Sequence, residues 1–362
     1  MSTVGISKCK DRSLLIWSSP STKGAGAYQL WENYGRLLSP HVRELVLLRG
    51  HDEWDSAVNP QIKLGLRSVF WSLTELRSLV RDRQCANVVT SISQSDIIYG
   101  IFVRPITKAN WTIYVLGQPY PVYGQTGKIK RHIWKWLWLF SARRAHRIIA
   151  VSDYISEIIS HDLKGRDIVT VYPSLKDSHL SESVSRLPSE QLRVGFVGRL
   201  SPEKDPVLFC SILGGQDEVD ARIFGDGPLR PQVEGALNGI KLLGFRPQNE
   251  IYSEIDVIMM TSKSEGLPMV LVEASLTGVV PLVCDVGGCA EAIHPDNRDL
   301  LVVPREERDN VAFWRGRLVS LQDADLRTAI AARQREWAEQ KFNAEINSEC
   351  LAALVTSREN NL

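Results

Sequence analysis

The six cysteines of this 362-residue chain (Cys9, Cys85, Cys210, Cys284, Cys289 and Cys350) include no Cys-x-x-Cys step and no zinc-like spacing. Their scatter argues against a disulfide scaffold or a zinc module and suits a reducing compartment. Long apolar runs are missing as well. The longest are of strand length, so no membrane-spanning helix is expected. The opening MSTVGISKCKDRS lacks the apolar core of a signal peptide, and a cytoplasmic location is expected. Paired acids suited to a metal are scarce. The only Asp-x-Asp, Asp323 and Asp325, falls at the entry to a helical stretch, where residues i and i+2 point apart. It reads as a helix start, and no metal is expected. There is no internal repeat and no low-complexity segment.

What is present has the balance of a globular protein, and the length suits two α/β domains better than one core. SLLIWSS, VRELVLLRG, ANVVTSIS, WTIYVLGQP, RIIAV and IVTVYPS read as strands of a first domain over residues 1–173. Ser152 or Asp153 is placed to cap the helix that follows RIIAV. Residues 174–190 are polar and serine-rich, without apolar periodicity, and read as a linker. A second series begins at LRVGFVGRL and runs through VLFCSIL, DARIFGDGP, IKLLGFRP, DVIMMTS, VPLVCDVGG and DLLVVP, giving a second domain over 191–345. The tail over 346–362 is expected to be helical and to pack back toward the first domain. Strands alternating with helices argue for parallel sheets. The expected architecture is α/β: two Rossmann-like doubly wound domains facing a central cleft, a natural place for a ligand.

Two carboxylates eight positions apart stand out in SKSEGLPMVLVEASL. Glu265 is expected to close a strand end, Gly266 to Met269 to form a turn, and Glu273 to sit on the helix that follows. Such a helix start offers backbone N–H groups and a positive dipole end to an anion. Carboxylates beside it can hold sugar hydroxyls. Some sixty residues earlier, VGFVGRLSPEKDP sets Arg199 and Lys204 just past a strand and a glycine, with Pro202 opening the next helix. A forked guanidinium and a point-charge ammonium on such a loop can clamp a diphosphate. Alone, the pair would be surface charge on a βα loop; its position ahead of the two glutamates gives it weight.

This ordered set resembles the family 4 glycosyltransferases, enzymes of GT-B fold with a Glu-x7-Glu signature, over nearly all of residues 191–345. IFGDGPLR is similar to the family's glycine loop bordering the nucleotide. LLGFRPQNEIYSEIDVIMMTSKSEG is similar to its nucleobase-binding segment and the strand leading to the first glutamate, and Gly287 and Gly288 follow a strand as the pattern requires. The resemblance implies that Arg199 and Lys204 neutralise the leaving diphosphate. Glu265 would hold donor-sugar hydroxyls and counter positive charge at the anomeric carbon. It implies donor binding by Gly225, Gly244, Phe245, Gly266, Leu267 and Met269, by Glu273 through the ribose, and by a first-domain glycine loop holding Gly24 and Gly26. The donor would be a nucleotide sugar, UDP- or GDP-linked, with no metal and with retention of configuration.

The first half departs from the family pattern at two points. Gln118 stands where a histidine near the reacting sugar is expected, and it can donate a hydrogen bond but cannot act as a base. Ser174 stands in for a hinge asparagine. A further feature is electrostatic: from Ile97 to Ser152 there is no Asp or Glu but nine Lys and Arg. Read as one helix, KIKRHIWKWLWLFSARRAHR turns Trp134, Leu137, Ser141, Ala145 and Ile148 inward. Lys128, Arg131, Lys135, Arg143 and Arg147 face the other way, with Trp136, Leu139 and Phe140 among them. Cations interleaved with aromatic residues suit an anionic membrane surface, and nothing else in the chain supports a nucleic-acid partner.

The resemblance therefore implies a retaining hexosyltransferase. It would pass sugar from a nucleotide-sugar donor to a saccharide or lipid-linked acceptor, in cell-surface polysaccharide or glycolipid synthesis, peripheral to the inner face of a membrane. A nucleotide-sugar epimerase of the same architecture and a non-catalytic membrane-docking partner are the alternatives. The paired glutamates argue against the first, and the intact Arg199, Lys204 and Glu265 against the second.

Overall fold

The computed structural model describes residues 87–121, 127–173 and 191–356, together with the backbone of strands β1 (Ser13–Trp17), β2 (Val42–Leu47) and β3 (Gln61–Lys63). The chain divides into two compact units, residues 1–174 with 345–362 and residues 175–344. The predicted linker and the Gly24–Gly26 loop lie outside the described residues.

In the first unit, β4 (Asn87–Ser91), β5 (Asn110–Val115), β6 (Arg147–Ala150) and β7 (Ile168–Thr170) complete a parallel seven-stranded sheet of order β3-β2-β1-β4-β5-β6-β7. β4 is buried along its whole length, as a strand covered on both faces must be. Strand order reverses between β1 and β4, the switch point at which open α/β sheets bind ligands. Helices α1 (Ser93–Ile98), α2 (Lys128–Ala142) and α3 (Asp153–Asp162) follow β4, β5 and β6. The Ser152 hydroxyl accepts the Ile155 N–H and caps α3.

Under α2 lies a buried polar chain. Asp96 on α1, 1% exposed, receives the Thr90 hydroxyl at 2.5 Å and the Trp138 indole N–H at 2.9 Å, and the Trp111 indole donates to Thr90 at 2.9 Å. Burial pushes the Asp96 carboxyl up to about 7, against the pull of those two donors. Trp138 is therefore the fully buried tryptophan of α2, with Ser141 and Ala142, whereas Trp134 and Leu137 are half-buried. The helix also stops at Ala142, so Arg147 and Ile148 lie on β6 and not on a helical face.

The second unit repeats the plan with β8 (Leu192–Val197), β9 (Val219–Phe224), β10 (Lys241–Gly244), β11 (Val257–Met260), β12 (Val280–Cys284) and β13 (Val302–Val303). Its parallel sheet has the order β10-β9-β8-β11-β12-β13, with every residue of β11 and β12 buried. Helix α4 (Pro206–Leu213) corrects two expectations. VLFCSIL is helical and not a strand, and the helix opens at Pro206 and not at Pro202, whose segment is a turn. Proline at the first helical position costs no hydrogen bond, and Asp205 before it takes the cap position. DLLVVP yields only the two-residue β13 after a short helical turn. Helix α5 (Met269–Leu276) packs on α6 (Ala324–Lys341), where Gln334 is fully buried and bonds Ala292, Ser275 and the His294 N–H. Asp323 caps α6 by accepting the Asp325 and Leu326 N–H groups, the helix-starting role expected for it. The last helix, α7 (Ala344–Thr356), belongs to the first unit, where its Leu354 carbonyl accepts from Arg147 on β6.

Candidate active site

At the carboxyl ends of β8 and β9 two loops lie flat on each other. The Gly198 N–H donates to Phe224 O and the Leu200 N–H to Asp226 O, both at 3.0 Å. Gly225 has φ +144°, and a Cβ there would stand 1.9 Å from the Gly198 carbonyl oxygen, so only glycine permits this approach. The loop carries Arg199 to an exposed position and Lys204 to a half-buried one.

Lys204 meets Glu265: Nζ to Oε1 is 2.6 Å, with the Glu265 side chain only 9% exposed. The two residues singled out in the sequence 61 positions apart are thus direct partners. Glu265 does not close a strand, however. It lies in the loop between β11 and α5, five residues beyond Met260. Its placement depends on the turn after β12. Gly287 has φ +62°, a Cβ there would come within 2.0 Å of the Glu265 carbonyl oxygen, and the Gly288 N–H donates to Gly266 O at 2.8 Å. A charge-assisted pair this short and this shielded is held far more firmly than a surface ion pair.

Helix α5 opens directly after Gly266 and Leu267, with Pro268 at the cap position and no side-chain cap. Leu267 is buried and Met269 half-buried. Glu273 sits one turn into α5 at 2% exposure, and its Oε2 accepts the Tyr252 phenol at 2.6 Å. Burial first, then the charge of Glu273, pushes the Tyr252 phenol well above its ordinary value, so it remains a donor. Gly244, at φ +70°, ends β10 and accepts the Gly225 N–H, and the Phe245 ring beyond it is 74% exposed. Glycines 225 and 244, the Lys204–Glu265 pair and the start of α5 therefore share the carboxyl end of one sheet, the end at which such sheets take ligands.

Sequence reasoning missed a supporting set of residues. Asp205, which follows Lys204, binds Lys263 Nζ at 2.9 Å and the Arg308 guanidinium. Thr261 Oγ1 donates to the carbonyls of Asp205 at 2.8 Å and Lys204 at 3.3 Å. The Asp-Pro step at 205–206 was the visible signal of a helix start; Arg308 gave none.

In the first unit, Gln118 lies past β5, where its Nε2 donates to the Tyr154 hydroxyl at 3.2 Å. The cationic face predicted on α2 is only partly as expected. Lys128 and Arg143 are exposed and Arg131 is half-buried, but Lys135 is turned inward. Its Nζ lies 2.8 Å from Asp162 and 4.9 Å over the Tyr120 ring. Arg147 is tied to the Leu354 carbonyl and leaves the face altogether. In their place the helix exposes an apolar row: Ile129 at 78%, Ile133 at 55% and Trp136 at 62%, with Phe140 stacked on Trp136 at 5.4 Å. Among the described residues no helix is long and apolar enough to cross a membrane.

Residues 191–315, the segment that carries this site, match the family Glycosyl transferases group 1. The chain has the GT-B fold of two parallel α/β sheets. It is 27% identical over 299 residues to the O-antigen biosynthesis glycosyltransferase WbnH of Escherichia coli, covering 78% of this chain and 84% of that one. It is 28% identical over 196 residues to the GDP-mannose-dependent alpha-mannosyltransferase of Mycolicibacterium smegmatis, spanning half the length of each. Among solved structures, Anabaena HepE in complex with UDP-glucose superposes with a TM-score of 0.77 at 18% identity, over 95% of this chain and 100% of that one.

Proposed function

We propose that the chain transfers a hexosyl unit, with retention, from a UDP- or GDP-linked donor held by the second unit to a saccharide or lipid-linked acceptor. The observation that carries this reading is the Lys204–Glu265 pair at 2.6 Å, with Arg199 exposed on the same loop. In glycosyl transfer, positive charge develops at the anomeric carbon while negative charge grows on the leaving diphosphate. Lys204 and Arg199 supply fixed cationic donors for the diphosphate, and backbone amides at the start of α5 add a dipole of the right sign. Glu265, bound to Lys204 through Oε1, is placed to hold sugar hydroxyls and to offset charge at the carbon. Glu273, fixed by Tyr252, orients the ribose end, and the exposed Phe245 ring offers the base a stacking surface.

The acceptor side rests on α2. Its row of Ile129, Ile133, Trp136 and Phe140, flanked by Lys128, Lys130, Arg131 and Arg143, suits an anionic bilayer, where apolar side chains enter the interface and cations meet headgroups. The enzyme then works at the cytoplasmic membrane surface, in polysaccharide or glycolipid assembly.

Thermal unfolding against UDP, GDP, ADP and dTDP tests the donor reading, with Arg199→Ala as control. A ligand at 100 times its Kd stabilises the native state by about 2.7 kcal/mol. Stabilisation by UDP or GDP that is lost in the variant is expected. Indifference to both at millimolar concentration would overturn it.

A further inference from the structure

We infer that Arg308 is a positioning residue of the transfer site, acting through Asp205 to fix the separation of Lys204 and Glu265. This rests on the functional reading above. Arg308 is 8% exposed and hydrogen-bonds neither member of the pair. Its Nη2 donates to the Asp205 carboxylate and to Thr261 O at 2.8 Å, its Nε to Ser262 O at 3.3 Å, and its Nη1 to Asp309. A buried guanidinium is tolerated only where its donors are matched. Besides Asp309, the matches run to the residue just after Lys204 and to the two carbonyls four and three residues before Glu265.

Around it the two segments are stitched directly. The Lys263 N–H donates to Glu203 O at 2.7 Å, Thr261 Oγ1 reaches the Lys204 and Asp205 carbonyls, and Lys263 Nζ shares the Asp205 carboxylate. Asp205 itself has φ +50° and ψ +58°, a left-handed conformation disfavoured for residues with a side chain. Such strain persists only where surrounding bonds over-determine it. Burial works against the Asp205 charge, but hydrogen bonds from Lys263 and Arg308 and their positive charges hold its carboxyl below its ordinary value. Arg308 itself is anchored from behind, its carbonyl accepting the buried Trp314 indole at 2.7 Å. Lys204 and Glu265 meet because their backbones are locked together within one or two residues of each.

A double-mutant cycle decides this, with UDP or GDP as the probe, whichever stabilises the unaltered chain. Lys204→Ala is expected to weaken the nucleotide at least tenfold and Arg308→Gln at least fivefold. The double variant should be no weaker than Lys204→Ala within about twofold, because Arg308 acts through Lys204. Arg308→Lys, which keeps the charge but not the fork, should fall between. Losses that multiply, or nucleotide affinity unchanged in Arg308→Gln, would overturn the inference. If Arg308→Gln does not fold, Asp205→Asn takes its place, since asparagine tolerates the left-handed backbone while losing the charge. If the unaltered chain binds neither nucleotide, the functional reading falls. The clamp is then judged by amide hydrogen exchange: residues 203–205 and 261–263 must lose protection together in Asp205→Asn, and independent responses would sink it.

Discussion

The two units share a parallel, doubly wound plan and use their polar groups in opposite ways. In the second, charged and backbone groups crowd the carboxyl ends of the strands, where Asp205, Arg308, Thr261 and two close glycine contacts hold Lys204 against Glu265. In the first, the comparable effort is buried under α2, in the Trp111–Thr90–Asp96–Trp138 chain, while the helix above it exposes an apolar row flanked by cations. The contrast teaches that one topology can spend its polar interactions on fixing two reactive side chains or on fixing a helix whose outer face is free to meet a partner.

The largest test of that contrast is chemical. Glu265→Ala and Lys204→Ala should each lower kcat/KM for transfer from a UDP- or GDP-sugar by about 10²–10³-fold, with the far-UV spectrum unchanged. Turnover at the normal rate in either would remove that residue from the mechanism. Next in size is the glycine contact. Gly287→Ala forces a Cβ onto the Glu265 carbonyl, so both stability and activity should fall, stability by about 3 kcal/mol or more. Gly117→Ala in the first unit, where a Cβ meets nothing within 4 Å, should unfold within about 1 kcal/mol of the unaltered chain. Equal losses at the two glycines would erase the distinction between the units.

The buried carboxyl sharpens the comparison by pH. With its folded value raised from 3.8 to about 7, Asp96 favours the native state most below pH 4. That contribution is lost as pH rises toward 7. The unfolding free energy from urea titration should decline over this window by an amount on the order of a few kcal/mol, and Asp96→Asn should flatten that part of the curve. An unchanged slope in the variant would show that Asp96 does not titrate there. The smallest effect is at the surface. Trp136→Ala with Ile133→Ser should reduce binding to anionic vesicles several-fold while leaving UDP or GDP affinity intact. Unaltered partitioning would remove α2 from membrane contact.

Much of the second unit was legible because its signals are local and ordered. Arg199, Lys204, Glu265 and the glycines lie at the ends of strands that the apolar runs mark out, or in the loops that follow them. What escaped was either long-range or masked by composition. Arg308 reaches Asp205 across 103 residues, and no local pattern announces such a bond. VLFCSIL looked like a strand because its core-facing residues, Phe209, Cys210, Ile212 and Leu213, leave too little polar contrast to reveal a helical period. At the two ends of α2, Lys128 and Arg143 are exposed. The pattern could not tell that Lys135 pairs with Asp162, nor that the chain leaves the helix before Arg147. Trp138 was hidden for a related reason: three tryptophans in alternate positions point around a helix, and only packing decides which one is enclosed.

The bond from Arg147 to the Leu354 carbonyl has a consequence in time. The two residues are 207 positions apart, and at ~5–20 residues per second a ribosome needs roughly 10–40 s to travel from one to the other. Once β7 ends at Thr170 all seven strands of the nascent first unit have been made, and for the rest of that interval it lacks only its closing helix. The second unit, drawn from one continuous stretch of chain, has every residue it needs while the first is still waiting. The part of the molecule synthesised first is therefore the part completed last.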